Sequence, residues 1–111
     1  MNANKLKEIV VDALEDLKGV DIKVLDVRGK SDVTDILVIG SGTSTRQIRA
    51  LAENVREKVK QRGVRPFGVE GDQDSGWVLV DLGDVVVHVM LPETRDFYNL
   101  EKLWGEDAPK E

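Results

Sequence analysis

The sequence predicts an α/β domain built on a mixed sheet of about five strands, in the order α-β-β-α-β-β-β-α. Three features carry that prediction. Two stretches space their apolar residues as amphipathic helices, each with a stop signal. The run Asp35 to Ile39 is nearly continuous in apolar residues, as in a strand covered on both faces. Residues Gly76 to Met90, GWVLVDLGDVVVHVM, read as two short strands joined at Asp81-Leu82-Gly83-Asp84.

The first helix is expected over Asn4 to Lys18, where Leu6, Ile9, Val10, Ala13, Leu14 and Leu17 form one stripe and Gly19 follows as a stop. DIKVLDVRG then reads as a strand, with Arg28-Gly29-Lys30-Ser31 a loop. The second helix is the best marked. Ser44 and Gln47 have capping-box spacing, in which hydroxyl and amide satisfy free N–H groups reciprocally. Ile48, Leu51, Ala52, Val55 and Val59 make its apolar stripe, and Gly63 supplies a left-handed stop. After Pro66 come FGVEG and a polar loop around GDQDSG, then the hairpin. Pro92 suits the first turn of a short C-terminal helix carrying Phe97, Leu100, Leu103 and Trp104. GEDAPKE reads as a frayed end. One domain over 1–104 and a flexible tail over 105–111 are therefore expected.

The hairpin divides by face. With Leu82-Gly83 as the central turn residues, Val80 lies opposite Val85, Val78 opposite Val87 and Trp77 opposite His88. Alternation places Val78, Val80, Val85, Val87 and Val89 on one face. Trp77, Leu79, Val86, His88 and Met90 fall on the other. If both long helices pack on the valine face, the Trp77 face is open, or only partly covered by the C-terminal helix. An open apolar face of that kind is a docking surface. The bland alternative closes it, with Trp104 packed on Trp77.

Composition bounds the chemistry. With 111 residues, 41% of them hydrophobic, the chain buries a core without staples. Its lack of cysteine excludes disulfides, cysteine metal sites and thiol catalysis. No apolar run approaches the ~18 residues of a membrane span, and MNANKLKE is too polar for a secretory signal. A soluble cytoplasmic protein is expected, with no membrane partner. The net charge is −5, yet Arg46, Arg49, Arg56, Lys58, Lys60 and Arg62 cluster on the second helix against Glu53 and Glu57. Acids dominate from Glu70 onward. That balance favours a basic protein partner over sequence-specific nucleic acid, and the basic cluster reads most simply as a solvated helix face.

The strand-turn-helix GSGTSTRQ, Gly40 to Gln47, could hold a phosphate at its helix start. It lacks the Gly-Lys-Ser/Thr of a P-loop, and Thr45 stands where the dinucleotide fingerprint needs glycine. A tight turn and helix cap explain it. Asp72-Gln73-Asp74 lies in a polar loop rather than on the strand that a two-metal site needs. Alanine at Ser41 or Asp72 is therefore expected to leave function intact. His88 is the only histidine, a poor metal site and part of no Ser–His–Asp set. Turn chemistry alone explains Asp81 and Asp84. Trp77, Tyr98 and Trp104 serve equally as core or as binding hot spots. No cofactor, metal or catalytic residue is expected.

VLDVRGKSDVTDILVIGSGTSTRQIRALA, GVEGDQDSGWVLVDLGDVVVHVM and PETRDFYNLEKLW together resemble the ribosomal silencing factor family, also called Iojap-like proteins. The likeness runs from about Leu6 to Trp104, with the blocks in family order. One departure is Ile36, where the family usually carries an aromatic after Asp35, so no role is transferred to position 36. The resemblance implies a nucleotidyltransferase-like fold without transferase activity. It implies binding to the basic fourteenth protein of the large ribosomal subunit (uL14), obstruction of small-subunit joining and repression of translation, with an associated role in large-subunit maturation. It assigns partner binding to Trp77, Leu82, His88, Met90 and Tyr98. Asp81, Asp84 and Glu93 are expected nearer the rim, facing the partner's basic residues. A homodimer of the free protein is a further partner to consider. The alternative from another class is a metal-dependent nucleotidyltransferase using the Gly40–Ser44 turn, which magnesium-dependent nucleotide binding would reveal. RNA binding through the second helix would instead fall steeply with salt.

Overall fold

Asn2 opens the first helix: its side-chain oxygen accepts from the Lys5 N–H at 2.8 Å. In the computed structural model, which describes residues 2–29, 34–72, 76–100 and 102, α1 spans Ala3–Asp16 and buries Leu6, Val10, Ala13 and Leu14. It stops earlier than predicted, and Lys18 rather than Gly19 takes the left-handed conformation. The hydrogen bonds explain why. The Lys18 N–H reaches the Glu15 carbonyl and the Gly19 N–H the Leu14 carbonyl. That pairing puts position 18 at the left-handed site of the stop. The second helix, α2 (Thr45–Gln61), ends as predicted. Gly63, at φ 80°, donates to Lys60, and Val64 donates to Val59.

Between and after these helices lie β1 (Val20–Asp26), β2 (Ile36–Ser41), β3 (Gly68–Asp72), β4 (Trp77–Asp81), β5 (Val85–Met90) and α3 (Pro92–Tyr98). Element order and mixed α/β class match the sequence prediction. The sheet runs β1-β2-β5-β4-β3, with β2 and β5 parallel and the remaining pairs antiparallel. All of β2 is buried, as its apolar run predicts. Both α1 and α2 pack on the face formed by Ile36, Val38, Val78, Val80, Val85, Val87 and Val89. Ile36, the departure from the family pattern, is part of this core.

The hairpin register differs from the prediction. Trp77 pairs with Met90 and Leu79 with His88. The Leu82 N–H donates to the Val85 carbonyl at 2.9 Å, so Gly83 and Asp84 are the central turn residues. Gly83 adopts φ 86°, and the Asp81 carboxylate accepts from its N–H at 2.9 Å. A positive φ at the first central position is what a strand-matched two-residue turn requires, and glycine meets it without strain. The shift is even, so the predicted division of faces survives. Leu82, however, turns inward at 5% exposed and joins the helix-side core.

Candidate functional site

On the second face the cross-strand partners form rows. The first row is Ser41, Met90 and Trp77; the next is Ile39, His88, Leu79 and Glu70. The short helix α3 lies over the first row and is held at its middle and its C-terminal end. Arg95, buried, donates from Nη1 to the Ser41 hydroxyl at 2.9 Å. Tyr98 packs on Trp77 with ring centroids 4.7 Å apart. Met90, between these two attachments, is 0% exposed. Among the described residues the face is thus partly covered, one of the three arrangements the sequence allowed. Packing of Trp104 on Trp77 lies outside the described residues, as does the tail over 105–111.

Trp77 remains half-buried, and its indole has a second partner. Nε1–H donates to His88 Nδ1 at 3.0 Å, along the diagonal of the antiparallel pair. An accepting Nδ1 means a neutral imidazole with its proton on Nε2. His88 is 8% exposed, and burial lowers its pKa from 6.5 to about 4. Desolvation of the charged form is the cause. Outward from Trp77 the surface stays aromatic. Tyr98 is 53% exposed, and Phe97, 80% exposed, meets it edge-on at 5.0 Å. Beside Trp77, Glu70, Gly71 and Leu79 complete the lining of a shallow depression of about 270 Å³. Half-buried Asp81 lies on this face, while Asp84 in the turn and Glu93 on α3 are exposed.

The predicted binding residues therefore separate. Trp77 and Tyr98 come together at the surface, with Asp81, Asp84 and Glu93 accessible to solvent. Leu82, His88 and Met90 are buried, which corrects any reading of them as surface contacts in this conformation. Packing is the reason. Leu82 is drawn under the turn, Met90 lies beneath α3, and His88 sits behind Trp77. Sequence reasoning missed Phe97, taken only as an apolar helix residue, and Arg95. A seven-residue helix is too short for apolar spacing to tell its inner from its outer face. Ser41 also has a role its motif did not suggest, as the acceptor that ties α3 down.

The Gly40–Ser44 turn is braced by its own cap hydrogen bonds and by the Gly42 N–H, which donates to the Met90 carbonyl. Ser44 Oγ accepts from the Gln47 N–H at 3.1 Å, and Gln47 Oε1 accepts from the N–H and hydroxyl of Thr43 at 2.7 and 2.9 Å. The reciprocal bond thus reaches one residue further back than the usual box. Gln47 Nε2 donates to the Leu17 and Lys18 carbonyls, fastening this turn to the end of α1. Among the described residues, no group of three or more His, Cys, Asp or Glu could hold a metal ion. No helix among them is long and apolar enough to cross a membrane.

These features define a small mixed α/β domain with a half-covered aromatic surface. A family model described as "Ribosomal silencing factor during starvation" matches residues 1–111, and the chain belongs to that family. The chain is 45% identical over 109 residues to a protein named ribosomal silencing factor RsfS from Chromobacterium violaceum, covering 98% of this chain and 89% of that one. It is 41% identical over 100 residues to a Mus musculus protein named mitochondrial assembly of ribosomal large subunit protein 1, covering 87% of this chain and 44% of the relative. A crystal structure of a Chromobacterium violaceum protein superposes with a TM-score of 0.92 at 45% identity, covering 98% of this chain and 91% of that chain.

Proposed function

We propose that this protein binds the large ribosomal subunit through its fourteenth protein and sterically blocks joining of the small subunit, repressing translation without catalysis. The observation that carries this reading is the aromatic surface of Trp77 and Tyr98, held by α3 on the sheet face opposite the two long helices, in a chain whose family is one of ribosomal silencing. The large subunit as target draws on the mouse relative, whose name is that of a protein of large-subunit assembly. Aromatic side chains are typical interface anchors because they bury large area at small entropic loss. Asp81 and Asp84 at the turn end of the hairpin and Glu93 on α3, all accessible to solvent, suit a basic protein partner, whose approach they accelerate. A wedge at the joining face needs slow dissociation rather than chemistry. The Gly40–Ser44 turn, closed by Ser44 and Gln47, gives the nucleotidyltransferase alternative no support.

The test is cosedimentation with purified bacterial large subunits, paired with light scattering of subunit joining in the absence of nucleotide. Binding together with inhibited joining is expected. Inhibition that persists in a variant unable to bind the large subunit would rule out steric blocking.

A further inference from the structure

His88 sits behind the aromatic surface rather than on it. It is 8% exposed, flanked by Ile39 on β2 and Leu79 on β4, and its Nδ1 accepts from Trp77 Nε1 at 3.0 Å. The two rings are tilted, with centroids 5.7 Å apart. Tyr98 meets the same indole at 4.7 Å. The indole is therefore held by a directional hydrogen bond at its edge and by ring packing from α3. We infer that His88 is a positioning residue: it fixes the Trp77 indole for docking and makes no contact with the partner itself. This rests on the docking function proposed above and deepens it.

The physical basis is preorganisation. A large side chain left free among its rotamers must be ordered when the complex forms, and that ordering, at its upper end, corresponds to about a tenfold loss of affinity. Imidazole suits the task because it is a compact ring that presents an acceptor at Nδ1 in a mostly apolar setting. Only the tautomer with its proton on Nε2 can accept there. Asparagine places its amide oxygen near the Nδ1 position, whereas glutamine reaches the position of Nε2. Leucine fills similar volume with no acceptor.

The test uses the full chain with His88→Leu, His88→Asn and His88→Gln. Each is read by the Trp77 indole N–H resonance, by affinity for purified bacterial large ribosomal subunits, and by urea midpoint. A Trp104→Phe variant assigns the resonance, since the chain has two tryptophans. In His88→Leu the indole resonance should move to its unbonded position and affinity should fall about tenfold, mostly through faster dissociation. Its urea midpoint should hold, because a desolvated imidazole is exchanged for an apolar side chain. His88→Asn should restore the bonded resonance and bring affinity back to within about threefold of wild type. His88→Gln should resemble the leucine variant. Wild-type affinity in His88→Leu, or failure of His88→Asn despite a restored resonance, would overturn the inference, the latter by indicating direct contact. If wild type itself does not bind large subunits, the docking function falls as well, an outcome distinct from a difference confined to the variants.

Discussion

On one face of the sheet, α1 and α2 close over Val80, Val85, Val87 and Val89, all 0% exposed. On the other, α3 covers a single row and leaves Trp77 half-buried beside exposed Tyr98 and Phe97. Strands β4 and β5 serve both faces, so alternation lets one hairpin contribute to a closed core and to an accessible surface. Their bonding differs accordingly. The valine face relies on non-directional burial, worth about 1.5–3 kcal/mol per fully buried aliphatic side chain. The aromatic face depends on individual contacts, namely Trp77 to His88, Arg95 to Ser41, and Tyr98 on Trp77. Changes to the first should therefore appear in stability, and changes to the second chiefly in binding.

The largest expected effect lies on the closed side. Leu51→Ala should lower unfolding free energy by about 2–5 kcal/mol, measured by urea denaturation, while the folded fraction keeps its affinity for large subunits. A loss well below that range would mean that the helix-side core does not dominate stability.

Acid should act next, through His88. Its pKa is lowered to about 4 in the folded protein from an ordinary value of 6.5, so the unfolded chain binds the additional proton between those values. Above about pH 6.5 His88 is neutral in folded and unfolded chains alike; as pH falls toward 4, protonation of the unfolded chain lowers stability by roughly 3 kcal/mol. Urea titrations across that window should show the decline, and His88→Leu should flatten it. An equally steep decline in His88→Leu would assign the acid sensitivity to other groups.

Trp77→Ala should weaken binding to large subunits by well over tenfold, about 2 kcal/mol or more, yet destabilise the fold less than Leu51→Ala. A stability loss matching that of Leu51→Ala, with affinity of the folded fraction unchanged, would make Trp77 a core residue. Tyr98→Ala should accelerate dissociation at any salt concentration. The attachment of α3 gives a smaller effect. Ser41→Ala removes one hydrogen-bond acceptor of the buried Arg95 side chain and should loosen α3 by about 1.5 kcal/mol, seen as faster amide exchange across α3. The sequence-based expectation that alanine at Ser41 leaves function intact did not anticipate this structural role of its hydroxyl. Smallest of all, Asp84→Lys should leave stability unchanged and slow association at low salt only, because rim charges govern encounter.

Much of this was legible in the chain. The stripes of α1 and α2, the Ser44 cap and the Gly63 stop depend on residues a few positions apart, where local hydrogen bonding and helical period decide the outcome. The two faces of the hairpin were legible for a similar reason. A period of two survives an even error in register, so misplacing the turn moved Trp77 from His88 to Met90 without exchanging the faces. The family was readable in the blocks around Trp77 and Tyr98.

Tertiary structure alone decided how these pieces meet. Gly83 became the first central turn residue, and Leu82 was thereby drawn into the core. Met90 became buried because α3 lies over its row. Arg95 reached Ser41, 54 positions away, although neither residue's neighbours in sequence announce the pairing. His88 and Trp77 share a predicted face, but their hydrogen bond required the diagonal placement that the observed register supplies. Local patterns fix how a segment folds and which side it buries, since those depend on neighbouring residues. The partner each side chain finds depends on packing between distant segments, and that is set only when the whole chain has closed.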